Sequence, residues 1–263
     1  MLLEETSPEE STTESPLSQR IDLRGSASTL ADPTIQFMQK VFEAHGYDKN
    51  IEFHVEYDVI EFSATALIGN NTYEEVLPMP TGEYFEILDE VDIVIQGIYD
   101  PASSVLDFDA GYIHSGDEEL QDSGLIESLM TIPAPAEKAK KFLQGAARHL
   151  RATLVHEMQH SIQRLIYGKP LDGITNADLD THIKDPNEID ARVEEIIAYM
   201  DDAIPETQFD NFMVKLESYI DMYLDRNAPD TSMEERDVLR VRMLDSHLQH
   251  YTDKLGIVLP SPE

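Results

Sequence analysis

Residues 156–160 read His-Glu-Met-Gln-His, and this spacing constrains the local fold more tightly than any other feature of the chain. Side chains at i and i+4 lie on one face of an α-helix, one turn apart, so His156 and His160 can direct their imidazoles at a single cation while Glu157 projects beside it. Between Thr153 and Ile162 the one fixed charge is Glu157, in a chain that carries 52 acidic and 19 basic residues. Such a segment reads as a helix enclosed by the rest of the protein. An apolar stripe through Leu150, Leu154, Met158, Ile162 and Leu165 runs beside the histidines, so one face is expected to pack and the adjoining face to bind. The helix is expected to begin between residues 136 and 148 and to stop at Tyr167-Gly168-Lys169-Pro170, a glycine followed by proline. His149 precedes His156 by a heptad, about 10.5 Å along the axis, which is too far for the same coordination shell.

Composition narrows the partners. A formal charge of −33 disfavours nucleic acid, whose binding draws on Lys and Arg to displace counterions, and it disfavours anionic membrane surfaces as well. The acid excess reads as a solvated surface. With no cysteine, disulfides and thiolate ligands are both impossible, so a metal would be held by imidazole and carboxylate. The N-terminus lacks the basic start and apolar core of a signal peptide, and no run of eighteen apolar residues occurs, so a soluble cytoplasmic chain is the expectation.

The fold class expected is α+β, with a mostly antiparallel or mixed sheet in the N-terminal half and helices in the C-terminal half. Residues 1–20, rich in Glu, Ser, Thr and Pro, read as a disordered acidic tail; 21–132 as a subdomain built on the sheet; and 133–263 as a helical subdomain carrying the metal site. Asp32-Pro33 looks like a cap and first turn, opening a helix with Ile35, Met38, Val41 and Phe42 that stops at Gly46. Alternation from Ile51 to Tyr57 predicts a half-buried strand, and further strands are expected at 59–68, 83–88, 91–98 and 105–114. His54 and His114 fall in these strands and read as structural or surface residues. Two late helices are expected, opened by Pro205-Glu206 and by a Thr231…Glu234 capping box. Their core stripes would be Phe209, Phe212, Leu216, Ile220 and Tyr223, then Val241, Leu244, Leu248 and Tyr251. His247 and His250 on the last helix read as structural or exposed, and Ile257-Val258-Leu259 is a short strand-like run.

A catalytic zinc takes three protein ligands and keeps a fourth position for water, so a donor beyond the two histidines is needed. The metzincin continuation is absent, because Gln163 and Ile166 stand where that pattern needs Gly and His. Downstream, Asn187-Glu188-x-x-Ala191 resembles the N-E-x-x-A helix of gluzincins, metallopeptidases with two motif histidines and a later glutamate. The likeness covers about residues 150–200, with Arg192 standing where thermolysin-like enzymes carry an Asp. It implies a zincin-like fold and a zinc metallopeptidase acting on a peptide or protein substrate. Zn2+ would be held by His156, His160 and Glu188, and Glu157 would be the catalytic base.

Other readings of these residues stand beside that one. Asp185, Pro186 and Glu188 also spell an acidic capping box, in which the glutamate serves only a backbone N–H. Asp190 and His182 are reserve ligands, while His182, Tyr167 and Tyr199 could face a substrate oxyanion. On the second helix, Ile189, Val193, Ile196 and Met200 form a core stripe, and Glu188, Ala191, Glu195 and Tyr199 an adjoining one that could face the histidines. A di-iron bundle would need a second E-x-x-H, which the chain lacks. The alternative from another class is a non-catalytic acidic protein, a virion component or nucleic-acid mimic that retains the metal helix.

Overall fold

A computed structural model describes residues 21–88, 91–103, 105–114, 122–126, 136–167, 186–201, 209–227 and 232–255. The protein is α+β. Its first helix, α1 (Leu23–His45), is followed by strands β1 (Ile51–Tyr57), β2 (Phe62–Ile68) and β3 (Asn71–Val76), then by the short helix α2 (Glu83–Ile87). Strands β4 (Val91–Asp100), β5 (Val105–His114) and β6 (Asp122–Ile126) complete one six-stranded sheet of order β3-β2-β1-β4-β5-β6, antiparallel at every pairing. Among the described residues four helices follow: α3 (Ala136–Tyr167), α4 (Pro186–Asp201), α5 (Phe209–Asn227) and α6 (Met233–Leu255). No described helix is long and apolar enough to cross a membrane.

The alternation in β1 does what its pattern dictates: Ile51, Phe53, Val55 and Tyr57 are buried and Glu52, His54 and Glu56 are exposed. The same inward face is continued by Phe62, Ala64 and Ala66 in β2, Val91, Ile93, Ile95 and Tyr99 in β4, and Leu106, Phe108 and Ala110 in β5. Two helices cover it. From α1 come Phe37, Met38, Val41 and Phe42, and from α3 come Phe142, Leu143, Ala146, Leu150 and Leu154. Phe42 meets Phe53, Tyr99 and Phe142 at centroid distances of 5.7, 5.0 and 6.3 Å, which ties both helices to the sheet centre. Gly97 on β4 lies beside them: a Cβ on it would sit 3.4 Å from the Phe108 ring and from Phe53, in van der Waals contact. A second, smaller core gathers Ile189, Val193, Ile196 and Ile197 of α4 with Leu216, Ile220 and Leu224 of α5 and Leu239 and Met243 of α6.

Several expectations need correction. α1 starts ten residues before Asp32-Pro33, capped by Asp22, whose Oδ1 accepts from the Gly25 N–H at 2.8 Å; Pro33 lies inside the helix. Leu23, Ala27, Leu30, Ala31 and Thr34 recur at helical spacing and are buried, and that packing outweighs the hydrogen bond a proline forgoes. Asp32 instead receives Arg151 of α3, with Nη2 at 2.7 Å and Nε at 3.2 Å from Oδ1. Residues 83–87 are helical, not a strand, since Tyr84 and Leu88 are buried four residues apart while Glu83, Glu86 and Ile87 face out. β3 and β6 were not anticipated; β3 is a hairpin partner of β2 across Gly69-Asn70, where Gly69 adopts φ 61°.

On the late helices the capping box is one residue on from its expected place. Ser232 Oγ accepts from the Glu235 N–H at 3.3 Å, and Glu235 Oε2 from the Ser232 N–H at 3.3 Å. The buried stripe of α6 is Leu239 and Met243, whereas Val241 is exposed, and at the end of α3 Leu165 is exposed too. The acidic tail, the strand-like run at 257–259, Asp185, His182 and the Pro205-Glu206 start lie outside the described residues. So do the side chains of His114, Tyr167, Asp190, Met200, Phe209, Phe212, Tyr223, His247, Leu248, His250 and Tyr251.

Candidate metal centre

From Ala152 to Gln163 every residue of α3 is buried. Leu154, Val155, Met158 and Ile162 belong to the sheet-side core, and the histidine face meets α4, which runs antiparallel so that His160 lies opposite Glu188 and His149 opposite Tyr199. Polar side chains enclosed this way must satisfy one another or a bound ion.

Three donor atoms converge. His160 Nε2 lies 3.1 Å from His156 Nε2 and 3.0 Å from Glu188 Oε2, and His156 Nε2 lies 3.7 Å from the same carboxylate oxygen. Tetrahedral coordination with bonds of about 2.0–2.1 Å separates its donors by about 3.3–3.4 Å, a value bracketed by these distances. The buried His156, His160 and Glu188 group could therefore hold a metal ion. Imidazole and carboxylate without thiolate suit a divalent ion of borderline hardness. Glu157 Oε1 stands 3.9 Å from His156 Nε2, on the margin of the triad, and is itself buried.

A second layer orients these donors. Gln163, one turn beyond His160, accepts from its Nδ1–H at 2.9 Å, which leaves the Nε2 lone pair pointing into the triad. Arg192 donates from Nε to Glu188 Oε1 at 2.7 Å and from Nη1 to Glu195 Oε2 at 2.6 Å. Glu188 is thereby divided, one oxygen on the guanidinium and the other toward the histidines. Glu195 Oε2 also comes to 3.6 Å from His156 Nδ1, an electrostatic contact longer than a hydrogen bond.

The electrostatics favour ligation. Burial, reinforced by nearby Arg192, holds His156 well below the ordinary histidine pKa against the opposite pull of Glu188, so the ring is neutral and its lone pair available. For Glu188, burial works against the charge, but the Arg192 guanidinium on Oε1 outweighs it and keeps the carboxyl well below the usual range. Burial pushes Glu195 upward in spite of Arg192. On the other side of α3, the Tyr84 hydroxyl of α2 meets Ser161 Oγ at 2.6 Å; Ser161 donates to the Met158 carbonyl, so Tyr84 is the donor. Burial raises the Tyr84 pKa, the Glu157 charge adding to it, and the phenol stays protonated.

All four sequence-derived site residues thus come together: His156, His160 and Glu188 as the triad, with Glu157 beside it. Glu195 and Ala191 do face α3, whereas Tyr199 sits at the far end of the seam against His149, 4.8 Å between ring centroids. His149 is no part of the triad. His54 is exposed on the outer sheet face near Glu56. Gln163 and Arg192 were not recognised as supports, yet their spacing carried the signal: Gln163 is i+3 from His160, and Arg192 is i+4 from Glu188 and i−3 from Glu195. Compared with protein-family models, with curated proteins and with solved structures, the chain matches none.

Proposed function

We propose that this chain is a zinc-dependent metallopeptidase with a zincin-like arrangement of α3 and α4. What carries the reading is the convergence of His156 Nε2, His160 Nε2 and Glu188 Oε2 at spacings of 3.0–3.7 Å, with Glu157 Oε1 3.9 Å from His156 Nε2. His156, His160 and Glu188 would hold Zn2+. A zinc ion so held supplies Lewis acidity, lowering the pKa of a water toward about 7 and polarising a carbonyl. Glu157 takes the water's proton as the oxygen bonds to the peptide carbonyl carbon, and delivers it to the amide nitrogen as the C–N bond breaks. Gln163 and Arg192 keep the donor atoms in place during turnover.

The test is a pair of substitutions read against metal content. Glu157→Gln is expected to retain one zinc per chain and lose about 10²–10⁴ of kcat/KM, the usual contribution of a general base, while His160→Ala loses metal and turnover together. Undiminished cleavage by Glu157→Gln, or a zinc-loaded native chain inert toward a broad peptide library, would end the assignment. A second reading, metal held for stability in a non-catalytic acidic protein, is favoured by one observation: His156, Glu157, His160 and Glu188 are only 1–2% exposed, as in the closed sites of structural zinc. The inert but zinc-bound outcome selects it.

A further inference from the structure

Two turns along the α3–α4 seam from the metal centre lies a cluster the proposed chemistry does not use. Arg148 places its guanidinium carbon 5.6 Å from the centroid of the Tyr199 ring; His149 packs on the same ring at 4.8 Å, and Tyr219 of α5 meets it edge-on at 5.0 Å. Arg148 is half-buried, and its Nε is enclosed without a hydrogen-bond partner. Charge makes this unusual. With 52 acidic residues in the chain, Arg24, Arg151, Arg192, Arg236 and Arg240 each have a carboxylate: Glu194, Asp32, Glu188, Asp225 and Asp221 respectively. Among the described residues Arg148 has none; Arg242 has none either but is exposed to water, whereas Arg148 is half-buried and its immediate neighbours are a histidine and two tyrosines, groups that oppose no incoming anion.

We propose that the Arg148, His149, Tyr199 and Tyr219 cluster is a carboxylate-binding subsite for the substrate. It rests on the metallopeptidase reading and adds a substrate class to it. The eight residues from Arg148 to His156 rise about 12 Å, and an extended peptide covers this in about three residues. The ligand is therefore a carboxylate about three residues from the cleaved bond, either the chain's free C-terminus or an acidic side chain. A guanidinium held over an aromatic ring, with no counter-ion among the described residues, receives such a group as a charge-assisted pair; Tyr219 and Tyr199 are hydrogen-bonded to each other, which leaves one hydroxyl of the two as a further donor.

Calorimetry on the zinc-loaded full chain separates the two sources. Tetra-alanine is compared with its C-terminal amide, and an acetylated Ala-Ala-Glu amide with the corresponding Gln amide. One acid of a pair is expected to bind roughly tenfold more tightly than its neutral counterpart, and Arg148→Met, which keeps the stem on Tyr199, abolishes that preference without changing affinity for the amides. Equal binding within both pairs, a preference that survives in Arg148→Met, or no detectable binding of either acid at millimolar concentration overturns the proposal. Hydrolysis of the same peptides is scored separately by mass spectrometry. A carboxylate preference without cleavage keeps the subsite and removes the peptidase; cleavage without preference does the reverse.

Discussion

The two faces of α3 are buried to the same extent and by opposite means. Toward the sheet, Leu150, Leu154, Met158 and Ile162 are at most 1% exposed and touch apolar partners, so removal of hydrocarbon from water stabilises that face whatever the solution contains. Toward α4, His156, His160 and Glu188 are at most 2% exposed, and their enclosure is supported by polar contacts: with one another, with Gln163 and with the Arg192 guanidinium. Burial alone would make that second face costly. The contrast teaches that the two faces depend on different things: the apolar face is stabilised by burial itself, and the polar face by how completely its buried groups are paired.

The sharpest way to separate the faces is to damage each and ask whether metal repairs it. Arg192→Met leaves Glu188 buried without its cation, and breaking such a pair costs about 3–5 kcal/mol; the metal-free variant is expected to lose stability on that scale in urea unfolding. Saturating zinc places positive charge against the same carboxylate, so most of the deficit should close. A deficit equally large with and without zinc would show that Arg192 acts on the fold rather than on the centre.

Leu154→Ala is the counterpart on the apolar face. Leu154 is fully buried between α3 and the sheet, and truncation to Ala there costs about 2–5 kcal/mol, the midpoint falling a little below the Arg192 loss. Zinc binds the folded form of this variant and of the native chain alike, adding the same increment to both, so the difference between them should persist at saturation. If zinc erased the Leu154→Ala deficit, the two faces would be one cooperative unit and the comparison would fail.

How much of this could be read in advance depends on whether local spacing or tertiary placement decides. The i, i+4 histidines, the strand alternation of β1 and the Ile189, Val193, Ile196 stripe are set by backbone period, and all were legible. Glu188 was legible through its resemblance to a known helix pattern, while its alternative as a cap was equally consistent with the local sequence. Pro33 misled because proline suits a first turn, whereas here the burial of Leu23, Ala27 and Leu30 carries the helix through it. The segment around Tyr84 and Phe85 read as a strand; it is a helical turn that buries Tyr84 and Leu88 four residues apart, with Tyr84 meeting Ser161, 77 positions away. Arg192 looked like a mere departure from a family pattern until its two carboxylate partners were in view.

The smallest effect tests whether the polar seam must also stay uncharged. His149 has its pKa lowered to about 4 by burial and by adjacent Arg148, whereas an unfolded chain takes up that proton near pH 6.5. Between these values the unfolded state binds more protons than the folded one, so the stabilisation present above about pH 6.5 is lost as the pH falls toward 4. The half-buried ring limits the size to the order of 1 kcal/mol, about one pKa unit of differential interaction. Unfolding of the metal-free native chain and of His149→Phe, followed from pH 7 to 4.5, should give a difference that grows in favour of the phenylalanine variant as acid is added. The same difference measured for Leu154→Ala should stay flat, because no titrating group is removed. A flat His149→Phe difference would mean that the ring already meets water in the native state, and the far end of the seam would then be solvated where its centre is dry.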